Sequence, residues 1–318
     1  MDKSGYDALL RFEEENIEFP PFVRAIQTIE EQLRLFRNTG MAKHLLVLGE
    51  SGTGKSTLCK LLVQKYPRIV LSERDVIPVL YVCVPASATI AAVSSEILMV
   101  LGDPDPNSGT IQARTLRIIT LCRACGVELL LMDEAQHMHD RGKHTTHYLV
   151  GDWIKRLLDE LSVPSAFLGL PQFEKLLQVN EQLRRRFSRR LWLALGQSDE
   201  TSVETECLQL LISLAACLPI PLSYGEYGVE EFGQRLFYAS DGRVAYIKKL
   251  LQSALMSALS DGYDEITPRE LQQAFTQDIW WEGVERLNPF SANFCFRRLD
   301  RAGEPFETGA ASATATRR

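Results

Sequence analysis

No apolar run in this chain approaches the ~20 consecutive residues that a membrane-spanning helix needs, so the sequence predicts no membrane insertion. A disulfide framework is missing as well. Cys59, Cys83, Cys122, Cys125, Cys207, Cys217 and Cys295 form an odd, scattered set that reads as reduced and mostly core. Cys122 and Cys125 are the one close pair, but no second pair completes a zinc site, and the pair precedes a strand instead of opening a helix. Excess positive charge is also lacking: 35 Lys and Arg against 41 Asp and Glu give a net charge of −6. That excludes a surface coated for nucleic acid, while a local basic stripe or a groove completed in an oligomer stays open. The opening Met1-Asp2-Lys3-Ser4-Gly5 carries no signal-peptide core, which makes a cytoplasmic location the expectation. No internal repeat is evident.

What is present is a 318-residue chain, 45% apolar, long enough for one large α/β domain and a smaller satellite. Short apolar or β-branched runs predict strands at His44–Leu48, Val79–Val84, Glu128–Met132 and Ser165–Leu168. Helices are predicted between them. In the first, Phe22, Ile26, Ile29, Leu33 and Phe36 share one face. The others are Lys55–Lys65, stopped by Tyr66-Pro67, then Ala91–Leu101, Thr110–Ala124 and His147–Leu161. Strands alternating with helices at this spacing make a mainly parallel sheet with helices on both faces. From about residue 203 the strand signal fades, and Val203–Leu218, Glu230–Ser240, Val244–Leu259 and Pro268–Trp280 read as helices. The expected organisation is an N-terminal arm with little core over 1–20, a nucleotide-binding α/β domain over 21–202 and a helical subdomain over 203–287. A partner-docking tail is expected over 288–318, its low-complexity end Gly309–Arg318 disordered.

Gly49-Glu50-Ser51-Gly52-Thr53-Gly54-Lys55-Ser56 fits the pattern G-x-x-x-x-G-K-[ST], with a strand before it and a helix after. Glycines there admit conformations that turn successive N–H groups toward phosphate oxygens, and the new helix adds its positive end. The segment through Thr57 is therefore the candidate ATP site. Lys55 is expected to reach the β- and γ-phosphates, and Ser56 to hold Mg2+. The strand Leu129-Leu130-Leu131-Met132 ends in Asp133-Glu134. Two carboxylates at a buried edge are costly unless they meet cations or water. Asp133 is expected on the metal, and Glu134 as the group that orients and polarises the attacking water. That pair points to hydrolysis, since a small-molecule kinase shields its phosphoryl group from water.

Five arginines fall within Arg184–Arg190. A solvated basic helix, a nucleic-acid patch and an arginine finger are all open readings of the run alone. Its place after the fourth strand favours the finger, with Arg186 the first choice and Arg185 the second. His137, His139, His144 and His147 cluster within eleven residues, yet no nearby carboxylate or cysteine completes a zinc site, and polar packing is the expectation. Trp280-Trp281 reads as a packing or docking feature.

Together these residues resemble the AAA+ ATPases of the TniB/TnsC family, the transposition regulators of Tn-type and CRISPR-associated elements. The resemblance runs over about 18–307. It rests on Phe19-Pro20-x-Phe22, the phosphate loop, Asp133-Glu134-Ala135-Gln136-His137, Gln182-Leu183-x-x-x-Phe187 and Ala258-Leu259-x-x-Gly262 leading to Ile266-Thr267. Asn288-Pro289-Phe290 and Gly303-Glu304-Pro305-Phe306 complete it. It implies an ATP- and Mg2+-dependent homo-oligomer, ring or filament, that wraps double-stranded DNA and links a target-selection protein to a transposase. It also places a second sensor at Arg243, after Asp241-Gly242. Leu170 stands where such ATPases often carry a polar sensor, with Gln172 as the substitute. Candidate DNA contacts are Arg114, Arg117, Arg141 and Lys143, each weak alone and multiplied by oligomerisation. Two other functions fit the same motifs: a nucleotide-gated recruitment scaffold with slow hydrolysis, and an initiator or helicase-loader ATPase, for which no winged-helix pattern is seen.

Overall fold

A computed structural model describes residues 3–14, 19–86, 89–138, 144–174, 177, 181–195 and 203–307. Along the chain run α1 (Lys3–Glu14), α2 (Pro20–Thr39), β1 (His44–Leu48), α3 (Lys55–Lys65) and a small hairpin of β2 (Ile69–Val70) and β3 (Asp75–Val76). Next come β4 (Val79–Cys83), α4 (Ile90–Leu101), α5 (Ile111–Ala124), β5 (Leu129–Asp133), α6 (His144–Leu161), β6 (Ser165–Gly169), α7 (Glu181–Arg186) and β7 (Arg189–Trp192). Helices α8 (Val203–Ala216), α9 (Val229–Ser240), α10 (Val244–Asp261) and α11 (Pro268–Ala274) follow. The chain divides into two compact units, Pro21–Leu193 and a second formed by Met1–Pro20 with Ala194–Arg318.

In Pro21–Leu193 the sheet order is β4-β5-β6-β1-β7, every pair parallel. All residues of β5 and β6 are buried, as are Leu45–Leu48 of β1. Continuous burial, as opposed to alternation, is what a strand covered by helices on both faces requires. Short polar caps set the helix starts: Thr89 accepts from Ala92 N at 3.1 Å and Thr110 from Ala113 N at 3.3 Å. Because all strands are parallel, the carboxyl ends of β1 and β5 share one edge of the sheet, where open α/β sheets bind ligands.

Strand β7 has no counterpart among the four predicted strands. Its Arg189-Arg190-Leu191-Trp192 is an edge strand with little burial, so it lacks the apolar run that marked the others. The arginine run is thus split between α7 and β7. Arg189 donates to Thr28 Oγ1 at 3.1 Å, and Arg190 pairs with Glu174 at 2.9 Å.

His44 opens β1 with its ring 5.7 Å from that of Phe187. Burial first, then the Arg186 charge, holds its pKa down at about 4. The folded protein therefore keeps His44 neutral while an unfolded chain takes up a proton below the ordinary value of 6.5. Stability from this group is complete above pH 6.5 and is lost as pH falls toward 4. Between pH 7 and 5 the loss amounts to about 2 kcal/mol by linkage. His44→Gln is expected to remove that part of the acid sensitivity, read as the difference in urea-unfolding free energy between the two pH values.

The second unit corrects two expectations. The N-terminal segment is not an arm without core: Leu9 and Phe12 of α1 are buried, and Lys248 of α10 donates to Glu13 O at 2.8 Å. Nor do the described residues from Asn288 hang free. Asn288 is fully buried and donates to Gln272 O (2.9 Å) and Gly283 O (3.0 Å), while its Oδ1 accepts from Phe290 N at 3.0 Å. Phe306 is buried edge-on against Tyr246, and the Arg297 guanidinium holds the Glu304 carboxyl below its usual range through their hydrogen bonds. Both terminal motifs of the sequence are core anchors. Residues 308–318, with the expected disordered end, lie outside the described residues.

Candidate functional site

The phosphate-loop sequence turns directly out of β1 into α3. Gly54 sits at φ 94°, a left-handed conformation that side-chain-bearing residues resist, and it begins α3 with no side-chain cap. Gly54 itself offers the first turn of α3 no side-chain acceptor, a helix start that suits an anion. Lys55 is 5% exposed and donates to the carbonyls of Gly49 (2.8 Å) and Glu50 (2.9 Å), so its ammonium lies across the loop. Thr53 Oγ1 donates to Glu50 O at 2.9 Å and closes the turn.

Strand β5, separated from β1 by β6, brings the acidic pair to the same edge of the sheet. Ser56 Oγ donates to Asp133 Oδ2 at 2.5 Å, joining two groups 77 residues apart in sequence. Asp133 is 1% exposed, and its carboxylate also accepts from Tyr81 OH (3.3 Å) and from Glu134 N (2.8 Å). Three donors offset the cost of burying it. Tyr81 shares in this: burial first, then the Asp133 charge, pushes its pKa up, which keeps the phenol a donor. Glu134 differs in being partly exposed at 36%, with the ring of His137 3.8 Å from its Oε2. One carboxylate is thus enclosed beside a serine hydroxyl and the other is open to water. A hydroxyl and a carboxylate at one point form a hard oxygen donor set fit for Mg2+, and the adjoining loop fits a polyphosphate.

Of the other predicted residues, the described arginines have partners of their own. Arg186 makes Nε (3.0 Å) and Nη2 (2.6 Å) contacts with Asp159 Oδ1 at the end of α6, and Arg185 pairs with Glu181 at 2.6 Å. Arg114 donates to Ala91 O (3.1 Å) and Ser95 Oγ (2.8 Å). Arg117 donates to Asp105 O (2.9 Å) and lies 3.0 Å from Asp103. Both hold the proline-containing loop after α4 in place. Arg141, Lys143 and His139 lie outside the described residues, as do the side chains of His144 and His147. Arg243 belongs to the second unit, 3.5 Å from Asp241 and stacked near Tyr246 and Phe306. Gln172 and Trp281 are exposed.

Tyr81 and Gln136 are the site residues that sequence reasoning left without a role. Tyr81 reads in sequence only as a β-forming residue of a strand. Gln136 is visible as part of Asp133–His137, but its partner, Leu170 N, is 34 residues away. The Cys122 thiol is pushed up to about 12, by burial first, so it is protonated at neutral pH. Among the described residues no cluster of three or more His, Cys, Asp or Glu can hold a metal, and no helix is long and apolar enough to cross a membrane.

No curated protein matches this sequence. Solved structures do resemble the fold. Cdc6p from Pyrobaculum aerophilum aligns with a TM-score of 0.58 at 15% identity, over 86% of this chain and 70% of that one. The ORC2 protein of Aeropyrum pernix, in ADPNP–ADP complexes, gives 0.59 at 15% identity over 84% and 71%. The Aeropyrum pernix ORC1 protein in complex with DNA gives 0.59 at 13% identity over 85% and 69%. At such identities the likeness speaks for the fold, which is that of the AAA+ P-loop ATPases with a C-terminal helical region. The terminal motifs at Asn288 and Gly303 fall beyond the reach of the family comparison, in which the model of the bacterial TniB protein matches residues 11–193. That stretch is more than half of the chain and contains all of the Pro21–Leu193 unit, and the chain belongs to the TniB family.

Proposed function

We propose that this chain is an ATP-hydrolysing switch that assembles on double-stranded DNA and regulates transposition by linking a target-selection protein to a transposase. The observation that carries the ATPase reading is the 2.5 Å hydrogen bond between Ser56 and Asp133, which joins the phosphate loop to the acidic strand end. In this reading Gly49–Thr57 cradle the phosphates, Lys55 leaves the loop carbonyls for the β- and γ-phosphates, and Ser56 and Asp133 would hold Mg2+. When bound there, the ion would neutralise phosphate charge. Glu134, open to solvent, accepts a proton from water as the water oxygen bonds to the γ-phosphorus. The bond from that phosphorus to the β,γ-bridging oxygen breaks, and ADP leaves.

Membership of the family supports the transposition role, and the DNA complex of the ORC1 structure lends the fold a precedent on DNA. The arginines of α7 supply the finger that a second copy would insert. Arg186 must first leave Asp159 for that to happen, an exchange of one charge-assisted partner for another. Arg114 and Arg117 would likewise have to exchange partners in their own chain for phosphate, and they stay candidate DNA contacts beside Arg141 and Lys143.

The test is sedimentation with ATP, Mg2+ and a duplex of about 30 base pairs. The expected result is a large DNA-bound oligomer that disperses as ATP is consumed, with Lys55→Ala staying small. A species that remains monomeric while hydrolysing ATP overturns the assembly reading, and absence of hydrolysis under all these conditions overturns the ATPase.

A further inference from the structure

Gln136 lies in the short 3-10 turn Ala135–Met138 that follows β5, is 2% exposed, and uses both ends of its amide. Its Nε2 donates to Glu134 Oε2, and its Oε1 accepts from Leu170 N at 3.0 Å. The partners fix its orientation. A carboxylate only accepts and a backbone N–H only donates, so the flipped amide would oppose two acceptors at one end and two donors at the other.

The peptide group that Gln136 reads has a second partner. Leu170 N belongs to the same peptide unit as Gly169 O, and Gly169 O accepts from Gly49 N, the first residue of the phosphate loop, at 3.1 Å. A continuous chain of hydrogen bonds thus runs from Gly49 through the Gly169–Leu170 peptide and the Gln136 amide to the Glu134 carboxylate. The approach is close: a Cβ on Gly169 would stand 2.9 Å from Gln136 Oε1 and 3.2 Å from Gln136 N, so a side chain there would push the Gln136 amide aside. Glu134 is held from its backbone too. It sits at φ 56°, in the left-handed region, and its carbonyl accepts from His137 N at 3.0 Å.

We propose that Gln136 is a positioning residue that couples the phosphate loop to Glu134 through the Gly169–Leu170 peptide. This inference rests on the reading of Glu134 as the group that takes the water proton. It accounts for Leu170 at the end of β6: the backbone and Gln136 do the sensing there, and the side chain of residue 170 need not be polar. Gln172, exposed after β6, is not needed for it.

The experiment measures steady-state ATP hydrolysis with duplex DNA, affinity for a fluorescent ADP analogue, and the melting temperature. The variants are Gln136→Met, Gln136→Glu and Gln136→Asn, with Gln136→Met repeated in a Glu134→Gln background. Met keeps the size of Gln and breaks both hydrogen bonds. It is expected to lower kcat by about 10- to 100-fold, the scale of a misplaced reacting group, with KM and analogue affinity within about threefold. Glu keeps an acceptor for Leu170 N but faces Glu134 with a second carboxylate, and it should be at least as slow as Met. Asn, polar but one methylene shorter, should fall between Met and the parent while melting as the parent does. In the Glu134→Gln background Gln136→Met should add no further loss, because the group it positions is already gone.

A kcat for Gln136→Met equal to the parent, or a loss that multiplies in the Glu134→Gln background, overturns the proposal. So does a fall in analogue affinity and melting temperature that tracks kcat across all three variants, since that is plain structural damage. If Glu134→Gln alone keeps parental turnover, the reading of Glu134 fails and the coupling falls with it. If Glu134→Gln is slow as expected and Gln136→Met turns over as the parent does, the coupling alone falls.

Discussion

Glu134→Gln is expected to bind ATP as the parent does and to hydrolyse it at least about 100-fold more slowly, the range that removal of a general base produces. The substitution keeps the shape of the side chain and removes the charge that takes the water proton. It leaves Asp133 with its three donors from Ser56, Tyr81 and Glu134 N, because the last of these is a backbone group. Ground-state contacts to nucleotide survive, so the effect should appear in kcat and not in affinity. The variant should accumulate as the ATP-bound oligomer on DNA. Lys55→Ala should do the opposite and lose nucleotide binding, since it removes the cation that crosses the loop. Measured turnover of Glu134→Gln within twofold of the parent would show that another group handles the water.

Arg235→Ala is expected to destabilise the second unit by about 3–5 kcal/mol, from two buried carbonyls left unpaired at about 1–3 kcal/mol each and the packing lost with the side chain, while Glu231, 40% exposed, stays in water. Arg235 is 2% exposed. It donates to Pro289 O (2.6 Å), Ser291 O (2.8 Å) and Glu231 Oε1 (2.8 Å), and stacks 4.1 Å from the Tyr227 ring and 4.7 Å from that of Phe296. Truncation to Ala strands two carbonyls in the interior and leaves a hole between the rings. Arg235→Lys should recover only part of the loss, because one ammonium cannot span a carboxylate and two carbonyls as a planar fork does. Thermal melting checks this: a drop on the order of 10 °C is expected for the Ala variant in a unit of this size. Cutting the chain before Asn288 should do at least as much harm, exposing the cluster that Phe290, Phe294, Leu299 and Phe306 fill. A truncated chain that melts unchanged would contradict the structural role given to this segment and restore it as a detachable tail.

The phosphate loop, Asp133-Glu134 and the parallel α/β plan were legible in the sequence because each is local. A glycine pattern, a strand ending in acids and a helix period are written within a few consecutive residues. The Ser56–Asp133 contact was implied by the pattern, but its distance came from the fold. Strand β7 escaped notice because an exposed edge strand needs no apolar run, and its arginines looked like one basic stretch with those of α7. The N-terminal helix and the segment after Asn288 were misread for a related reason. Their polar composition hides a few apolar anchors, such as Phe12 and Phe306, whose partners lie on α10, far along the chain. The relay from Gly49 to Glu134 through Gln136 is wholly a product of tertiary structure: it depends on β6 lying between β1 and β5, and strand order is set by packing, not by neighbours in sequence. The sequence by itself determined which residues carry the phosphate chemistry. The fold decided which of them touch, and which arginines are bound to their own chain.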